Sequence, residues 1–307
     1  MEPLPAPRPA GLLLKHELHS PSASLSHVPA GEWDRVYEPA EDSWLLSDAV
    51  CGDAASWMGP PHAALILELG SGSGAVCTSV LLHLQGLGAE AGGAQSASGG
   101  GGGGGGSAPT PPSALCLACD LSPHACRVTA STGAANGVGS RLEVVQCDLL
   151  DALRARLRGC VDLLLFNPPY VPTPAEEVPA PGAFALGGGE AARESALDTL
   201  PAAWAGGENG RQVIDRALPL LAELLRKPRA AATAAAAAEA AAGAGVGAGA
   251  RAGQVDGGGV AYMLLLEDND PADIEAQLRA EGLQCSIVAT RQAPCESLMV
   301  MRVRWSC

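Results

Sequence analysis

The tetrapeptide Asn167-Pro-Pro-Tyr170 directly follows the apolar run 161–166. Two consecutive prolines cannot continue a strand, because each lacks a donor N–H and fixes its own φ. The side-chain oxygen of Asn167 and the carbonyl of Pro168 are two acceptors on a stiffened backbone. Together they can bind both hydrogens of a planar NH2 group, and Tyr170 can supply an aromatic wall beside it. The tetrapeptide therefore predicts a site that makes a weakly nucleophilic, delocalised nitrogen reactive by orienting it.

Three other apolar runs end in residues that bind ligands in many proteins. Glu68 with the loop Gly70-Ser-Gly-Ser-Gly74, Asp120 and Asp148 each stand at or just after the end of such a run. Helical patterns separate the runs, and their continuous apolar content predicts a parallel sheet covered on both faces. Because the carboxyl ends of parallel strands share one edge, these groups and Asn167 are expected to converge on one crevice.

The remaining elements extend this sheet. Strands are predicted over residues 63–68, 115–119, 141–146, 161–166, 262–267, 285–290 and 297–304. Helices are predicted over residues 74–85, 122–136, 209–225 and 270–282. Ser122-Pro123 and Asp270-Pro271 each supply an N-cap followed by proline at the first helical position, and Gly137 and Gly282 end those helices. The expected fold is α/β, a seven-stranded mostly parallel sheet with an antiparallel last strand and helices on both faces.

Two stretches offer few large side chains to bury. Residues 86–113 are rich in Gly, Ser and Pro, and residues 227–259 are almost wholly Ala and Gly. Both are interpreted as flexible insertions between a helix and the next strand, on the side away from the expected crevice. Residues 1–35 lack the pattern of a targeting signal and are interpreted as a disordered tail. Residues 36–307 without the insertions amount to roughly 210 residues, about one domain.

Composition limits the partners. The formal charge of −14 argues against nucleic-acid binding, which relies on clustered Lys and Arg. Ten cysteines without regular spacing are typical of a reducing compartment. Cys116 and Cys119 lie three residues apart on a predicted strand and point to opposite faces, so no metal site is expected there. No segment has enough strongly apolar residues to cross a bilayer.

Most of these motifs have an alternative interpretation. The loop 70–75 also satisfies the G-x-G-x-x-G/A pattern of dinucleotide-binding proteins. Asp120 does not separate the alternatives, since an acid at that place binds ribose hydroxyls in several cofactor families. Asp148 could instead cap a helix over residues 149–157. The tetrapeptide 167–170 favours methyl transfer, because a hydride-transferring enzyme does not require it.

Taken together, the motifs resemble those of S-adenosylmethionine-dependent methyltransferases that modify amino groups. The residues that carry this resemblance are Glu68-Leu-Gly-Ser-Gly-Ser-Gly74, Asp120, Cys147-Asp148-Leu149 and Asn167-Pro-Pro-Tyr170. Val36-Tyr-Glu-Pro-Ala-Glu-Asp42, Ala203-Trp-Ala-Gly-Gly-Glu-Asn-Gly-Arg211 and Arg291-Gln-Ala resemble, more narrowly, the eukaryotic HemK-like protein glutamine methyltransferases. The resemblance implies a Rossmann-like class I fold and methylation of the glutamine in the Gly-Gly-Gln loop of the class-1 translation release factor.

The resemblance also implies roles for individual residues. The implied cofactor-binding residues are Ser43, Glu68, Gly70, Gly72, Asp120, Asp148, Leu149 and Asn167. The implied catalytic residues, which would hold the substrate glutamine, are Asn167, Pro168, Pro169 and Tyr170. Glu68 and Gly70 would line the methionine and ribose portions of S-adenosylmethionine, and Asp120 would accept from the ribose hydroxyls. Asp148 would accept from the adenine amino group, and Ser43, where the family usually has threonine, would hydrogen-bond the cofactor's carboxylate.

The resemblance further implies a heterodimer with a small zinc-binding activator subunit that pairs along a sheet edge. The third strand, 141–146, is expected to be that edge. A cytoplasmic location is implied, with the nucleus as the alternative. Adenine amino-methylation of DNA or RNA shares the tetrapeptide 167–170 but is disfavoured by charge and size. A nonenzymatic scaffold is disfavoured because all four strand-end groups are intact. The connection 171–204 is longer than the family's and is expected to reshape substrate access.

Overall fold

Strands and helices alternate through most of the chain. The structure, a computed structural model, describes residues 21–58, 64–93, 114–151, 153–179, 203–228, 258–293 and 296–306. The strands are β1 Ala64–Leu69, β2 Ala114–Asp120, β3 Leu142–Gln146, β4 Leu163–Phe166, β5 Val260–Leu266, β6 Leu283–Gln292 and β7 Ser297–Trp305. The α-helices are α1 Glu41–Gly52, α2 Ala54–Trp57, α3 Ala75–Gly93, α4 Pro123–Ala135, α5 Arg154–Leu157, α6 Gln212–Leu224 and α7 Pro271–Ala280. None of the helices in these ranges is both long and apolar enough to span a bilayer.

All of these strands belong to one sheet, in the order β3-β2-β1-β4-β5-β7-β6. β7 is antiparallel to both of its neighbours, and the other adjacent pairs are parallel. The prediction of a mostly parallel seven-stranded sheet with an antiparallel last strand is therefore confirmed. The chain runs outward from β1 to β3 and then crosses back to β4. Such a switch point between β1 and β4 opens a crevice at the carboxyl ends of the strands.

The core lies where the central strands meet the helices. Every residue of β4 and of β5 is buried, which requires cover on both faces of the sheet. α3 contacts both α1 and α4, and α6 contacts α7, so the helices pack in two groups. Each fully buried Leu or Ile contributes about 2 kcal/mol. This rigid centre holds the strand ends that carry the polar residues.

The predicted helix boundaries follow from capping chemistry. The Ser122 side chain accepts from the Ala125 N–H at the start of α4. Asp270 does the same for the Asp273 N–H at the start of α7, and a proline follows each cap. Gly282, with φ of 83°, ends the turn after α7. These start and stop signals are confirmed.

Several predicted boundaries differ from the structure. α1 has no counterpart among the predicted helices. α3 continues through Gly93 rather than ending at residue 85, so the first insertion was placed too early. At the end of the second insertion, Gly259 N–H donates to the Arg226 carbonyl, so this residue belongs to the sheet's rim. Parts of four predicted segments lie outside the described residues. They are residues 1–20 of the tail, 94–113 of the first insertion, 180–202 of the connection after the tetrapeptide and 229–257 of the second insertion.

Residues 21–35 pack against the domain, where the sequence suggested a disordered tail. Ala23 N–H donates to Ser79 Oγ in α3 at 2.9 Å. The Asn136 side chain at the end of α4 accepts from Ser24 N–H at 2.8 Å and donates to the Ser24 carbonyl at 2.9 Å. Residues 23 and 24 are thus hydrogen-bonded to side chains of two helices, and the disorder expected for residues 21–35 is not observed. The segment then leads directly to the rim of the crevice.

Asn269 joins the end of β5 to the backbone that follows Asn167. Its side chain is fully buried; Oδ1 accepts from Leu266 N–H at 2.7 Å, and Nδ2 donates to the carbonyls of Tyr170 and Asn209, both at 2.9 Å. Three hydrogen bonds from one buried amide make a stiff connection. The Tyr170 backbone is therefore fixed against the sheet rather than carried on a free loop.

Candidate active site

The carboxyl ends of β1, β2, β3 and β4 surround one cavity of about 360 Å³. This volume is in the range of small-molecule sites. The predicted site residues that line it are Ser43, Glu68, Gly70, Gly72, Asp120, Asp148, Leu149, Asn167, Pro168, Pro169 and Tyr170. The structure thus brings together every residue that the sequence singled out for binding or catalysis.

The loop after β1 forms the floor of the cavity. Gly70, Gly72 and Gly74 have φ values of 65°, 54° and 73°, in the left-handed region that favours glycine. A Cβ on Gly74 would lie 2.9 Å from the Thr129 Cα of α4, so this glycine also permits close packing of the helix. The Gly72 N–H donates to Asp120 Oδ2 at 2.8 Å. The loop conformation is therefore locked to the end of β2.

Asp120, the last residue of β2, is anchored at both oxygens. Oδ2 accepts from the Gly72 N–H and Oδ1 accepts from the Ser122 N–H, each at 2.8 Å. Burial raises the pKa of the Asp120 carboxyl, although these backbone donors oppose the shift. Each carboxylate oxygen has a second lone pair. The arrangement can therefore accept hydrogen bonds from a pair of hydroxyl groups in the cavity.

Glu68 is a buried acid with an unpaired oxygen. Its side chain is 3% exposed, and Oε2 is without a hydrogen-bond partner among the described residues. Burial raises the pKa of this carboxyl well above its usual range, and the nearby Cys77 and Asp120 add to the shift. A cationic or donor group of a ligand would satisfy the unpaired oxygen and favour the ionised form.

The turn after β3 is strained. Leu149 and Leu150 have φ values of 44° and 76°, which leucine rarely adopts and which cost about 1–3 kcal/mol each. The turn directs Asp148 and Leu149 to the cavity wall. The next helix starts only at Arg154 and has no side-chain cap, so the alternative of Asp148 as a helix cap is wrong. Instead, Asp148 Oδ2 accepts from the Arg216 guanidinium at 2.7 Å.

Asp42 lines the cavity but is absent from the site residues that the sequence predicts. It lies in the first turn of α1, is 3% exposed, and accepts from Asn167 Nδ2 at 2.8 Å. Ser43 Oγ donates to its Oδ1 at 3.3 Å, and the Tyr170 hydroxyl donates to its Oδ2 at 3.4 Å. The Ser43 hydroxyl is therefore directed at Asp42. The sequence carries one signal for this residue, the acidic pair Glu41-Asp42 at the end of the segment 36–42.

The Asn167 amide is left with one unpaired atom. Because Nδ2 is committed to Asp42, Oδ1 remains, and this oxygen is buried without a partner in the described part of the chain. A buried polar atom without a partner costs about 1–3 kcal/mol. The residue lines the cavity, so a ligand that donates a hydrogen bond would recover this energy.

The surroundings of Asn167 are rich in acidic and phenolic groups. Burial, and after it the Asp42 charge, raise the pKa of both Tyr37 and Tyr170, so these phenols keep their protons. Burial and Asp42 likewise raise the pKa of Glu296. Within the described ranges, no group of three or more His, Cys, Asp or Glu residues is arranged to hold a metal ion. The end of the cavity is therefore suited to a hydrogen-bond donor.

The sheet order, the glycine loop, the acids on the next two strand ends and the tetrapeptide on the fourth define a Rossmann-like class I methyltransferase. No family model matches the sequence. The chain is 33% identical over 282 residues to the Methyltransferase HEMK2 of Mus musculus, covering 92% of this chain and 95% of the mouse protein. It belongs to the family of HEMK2 methyltransferases.

Other known proteins are similar over most of their length. The Homo sapiens Methyltransferase HEMK2 is 33% identical over 276 residues, which cover 90% of this chain and 92% of the human protein. The eRF1 methyltransferase catalytic subunit mtq2 of Schizosaccharomyces pombe is 28% identical over 285 residues, covering 91% and 93%. A solved E. cuniculi Mtq2-Trm112 complex overlaps with a TM-score of 0.46 at 20% identity, covering 89% of this chain and 99% of that chain.

We expect Asp42→Asn to lower the kcat of methyl transfer about 100-fold, because misplacing a substrate-orienting group by about 1 Å has an effect of that size. An asparagine at position 42 can donate as well as accept, so it can pair with either Nδ2 or Oδ1 of Asn167 and no longer leaves Oδ1 for the substrate. Steady-state methyl transfer measures the change. Asp273→Asn, which alters an exposed acid paired with Arg211, is the control and should keep the normal rate. A normal kcat for Asp42→Asn would contradict this role.

We expect Glu68→Gln to flatten the dependence of stability on pH. Because burial raises the folded pKa of Glu68 above its unfolded value, its contribution is most favourable below the unfolded pKa and declines as pH rises through the folded pKa. Glutamine does not titrate, so the thermal midpoint of the ligand-free variant should fall less as the pH rises above the usual range of a glutamate carboxyl. Glu143→Gln on the exposed face of β3 is the control. Identical profiles for Glu68→Gln and the unaltered chain would refute the assignment.

Proposed function

We propose that this chain uses S-adenosylmethionine to methylate the side-chain amide nitrogen of a glutamine. The proposed substrate is the Gly-Gly-Gln loop of the class-1 translation release factor. The observation that carries the proposal is the buried Asn167 Oδ1, unpaired while Nδ2 is held by Asp42. A glutamine NH2 group supplies the donor that this oxygen lacks.

Relatives support the choice of substrate. The S. pombe relative is named an eRF1 methyltransferase. A protein of Cereibacter sphaeroides, 28% identical over 175 residues, is named a release factor glutamine methyltransferase. The shared substrate class in these names agrees with an acceptor site that binds an NH2 group.

The residues at the strand ends fit S-adenosylmethionine. Asp120, fixed by two backbone donors, is placed to accept from ribose hydroxyls. Asp148 and Leu149 form the wall for the adenine, and the unpaired Oε2 of Glu68 suits the ammonium of the methionine portion. Ser43 lines the same cavity, and its hydroxyl, which donates to Asp42 Oδ1 at 3.3 Å, remains in the proposed set as a partner for the cofactor's carboxylate. When bound, this cofactor supplies an electrophilic methyl group on a sulfonium.

The chain itself contributes orientation and polarity. Asn167 Oδ1 accepts one hydrogen of the substrate NH2, and the Pro168 carbonyl accepts the other. Holding both hydrogens returns electron density to a nitrogen whose lone pair is delocalised into the amide, and fixes its direction of attack. Tyr170 provides the wall beside the amide plane. No strong base is required, because the nitrogen becomes acidic only as its new bond forms.

Methylation of an adenine amino group in nucleic acid is the second candidate. An exocyclic adenine NH2 presents the same pair of donors to Asn167 and Pro168. Against it stand the formal charge of −14 and the carboxyl groups of Asp42 and Glu296 at the cavity, which would repel phosphates. The acidic character of the site therefore favours a protein amide.

A methyl-transfer assay with tritiated cofactor separates these candidates. We expect label on the release factor, none on its variant with alanine in place of the loop glutamine, and none on duplex DNA. Asn167→Ala should lower turnover at least about 100-fold, as loss of a transition-state contact does, while cofactor binding stays largely intact. Label on DNA alone would overturn the proposed substrate. Loss of both turnover and cofactor binding would assign Asn167 a structural role instead.

We infer that the chain works with a small zinc-binding activator subunit that pairs along β3. This strand is an edge of the sheet, and its Val144 and Val145 are only partly buried. Leu115 on the adjoining β2 is 55% exposed, an unusual position for a large apolar side chain. The S. pombe relative is named a catalytic subunit, which is in keeping with such a partner. A release-factor substrate supports a cytoplasmic location, with the nucleus as the alternative.

Hydrogen exchange tests this pairing. We expect the backbone amides of β3 to exchange more slowly when the chain is co-expressed with the activator, because an added strand takes up the unpaired N–H groups. The amides of β6, the opposite edge, serve as the internal control and should not change. A chain that is soluble, fully active and equally protected without the activator would refute the inference.

A further inference from the structure

Arg216 of α6 reaches across to the end of β3, a contact that no motif in the sequence predicts. Its guanidinium donates to Asp148 Oδ2 at 2.7 Å, and both side chains line the cavity. The Asp148 side chain is 14% exposed and that of Arg216 30%. Val213, three residues earlier in α6, lines the cavity as well. α6 therefore supplies part of the wall next to Asp148.

α6 has ample anchors besides this ion pair. Its buried residues are Ile214, Ala217, Leu218, Leu220, Leu221 and Leu224. At its start, Arg211 donates to Asp215 at 2.6 Å, to Asp273 at 2.8 Å and to the Asn269 carbonyl at 3.1 Å. An ion pair between partly exposed groups contributes little to stability. Packing of the helix therefore gives no reason for Arg216 to point at the cavity.

We propose that Arg216 is a positioning residue that sets the Asp148 carboxylate to recognise the exocyclic amino group of the cofactor's adenine. This inference rests on the proposed function, because it assumes that the cavity binds a cofactor with an adenine base. The strained turn at Leu149 and Leu150 fixes the backbone beside Asp148, and Arg216 fixes the side chain. A planar guanidinium restricts the orientation of a carboxylate more than a lysine ammonium does.

Purine selection follows from this arrangement. Adenine presents an NH2 donor at its six-position, whereas hypoxanthine presents a carbonyl oxygen there. A carboxylate that is held in place accepts from the first and repels the lone pairs of the second. Without the Arg216 guanidinium at 2.7 Å, the Asp148 carboxylate loses a charged partner that restricts its orientation, and both the contact and the rejection weaken. Arg216 thus determines base specificity without touching the reacting atoms.

Calorimetric titration tests the assignment. The full chain, co-purified with its activator, is titrated with S-adenosylhomocysteine and with its deaminated counterpart, S-inosylhomocysteine. We expect the unaltered protein to prefer the adenosine compound at least about 10-fold, as expected for matching one polar group. Arg216→Met should lose about 10-fold in affinity for the adenosine compound only, so that the preference falls toward one. Arg216→Lys should restore part of the preference.

Arg154→Met is the matched control, because Arg154 also pairs with a carboxylate of α6, Glu223, but does not line the cavity. It should keep both affinities. Equal loss of affinity for the two compounds by Arg216→Met, or an unchanged ratio between them, would overturn the assignment of Arg216 alone. Failure of the unaltered protein to bind S-adenosylhomocysteine would overturn the proposed cofactor, and the inference with it.

Discussion

One charge-assisted hydrogen bond, from Asn167 Nδ2 to the Asp42 carboxylate, decides what the site can bind. An asparagine amide can turn either its donor or its acceptor toward a ligand. A carboxylate only accepts, so it binds Nδ2 and cannot bind Oδ1. The short contact of 2.8 Å therefore leaves the acceptor Oδ1 without a partner among the described residues. The polarity of the acceptor site is set in α1, far in sequence from the tetrapeptide that carries the chemistry.

Four residues around the cavity are held in energetically costly arrangements. Glu68 Oε2 and Asn167 Oδ1 are buried without partners, and Leu149 and Leu150 have left-handed backbone. Each feature costs about 1–3 kcal/mol. The sheet tolerates them because its central strands are buried on both faces and Asn269 braces the Tyr170 backbone. Donors supplied by a bound ligand satisfy the unpaired oxygens, so binding also stabilises the fold.

The sequence predicted the strands and their ends because continuous apolar runs, caps and glycines report on local backbone. Parallel strand order then brought Glu68, Asp120, Asp148 and Asn167 to one edge without further information. α1 was not predicted, because its buried Ser43 and Ser47 interrupt the apolar pattern that marks a helix. Long-range pairs such as Arg216 with Asp148, 68 residues apart, depend on tertiary packing and have no local signal. The left-handed backbone of Leu149 and Leu150 has no local sequence signal either, because leucine rarely adopts that conformation.

The two low-complexity tracts join helix ends to strand beginnings. Residues 94–113 lie between α3 and β2, and residues 229–257 lie between α6 and β5. β2 and β5, which follow these tracts in the chain, begin at the end of the sheet opposite the catalytic crevice. The entropy of closing a flexible loop grows only with the logarithm of its length, by about 0.6 kcal/mol per doubling. A change in the length of either tract, or a grafted reporter domain, therefore enters the chain ahead of the strand ends that lie away from the methyl-transfer site.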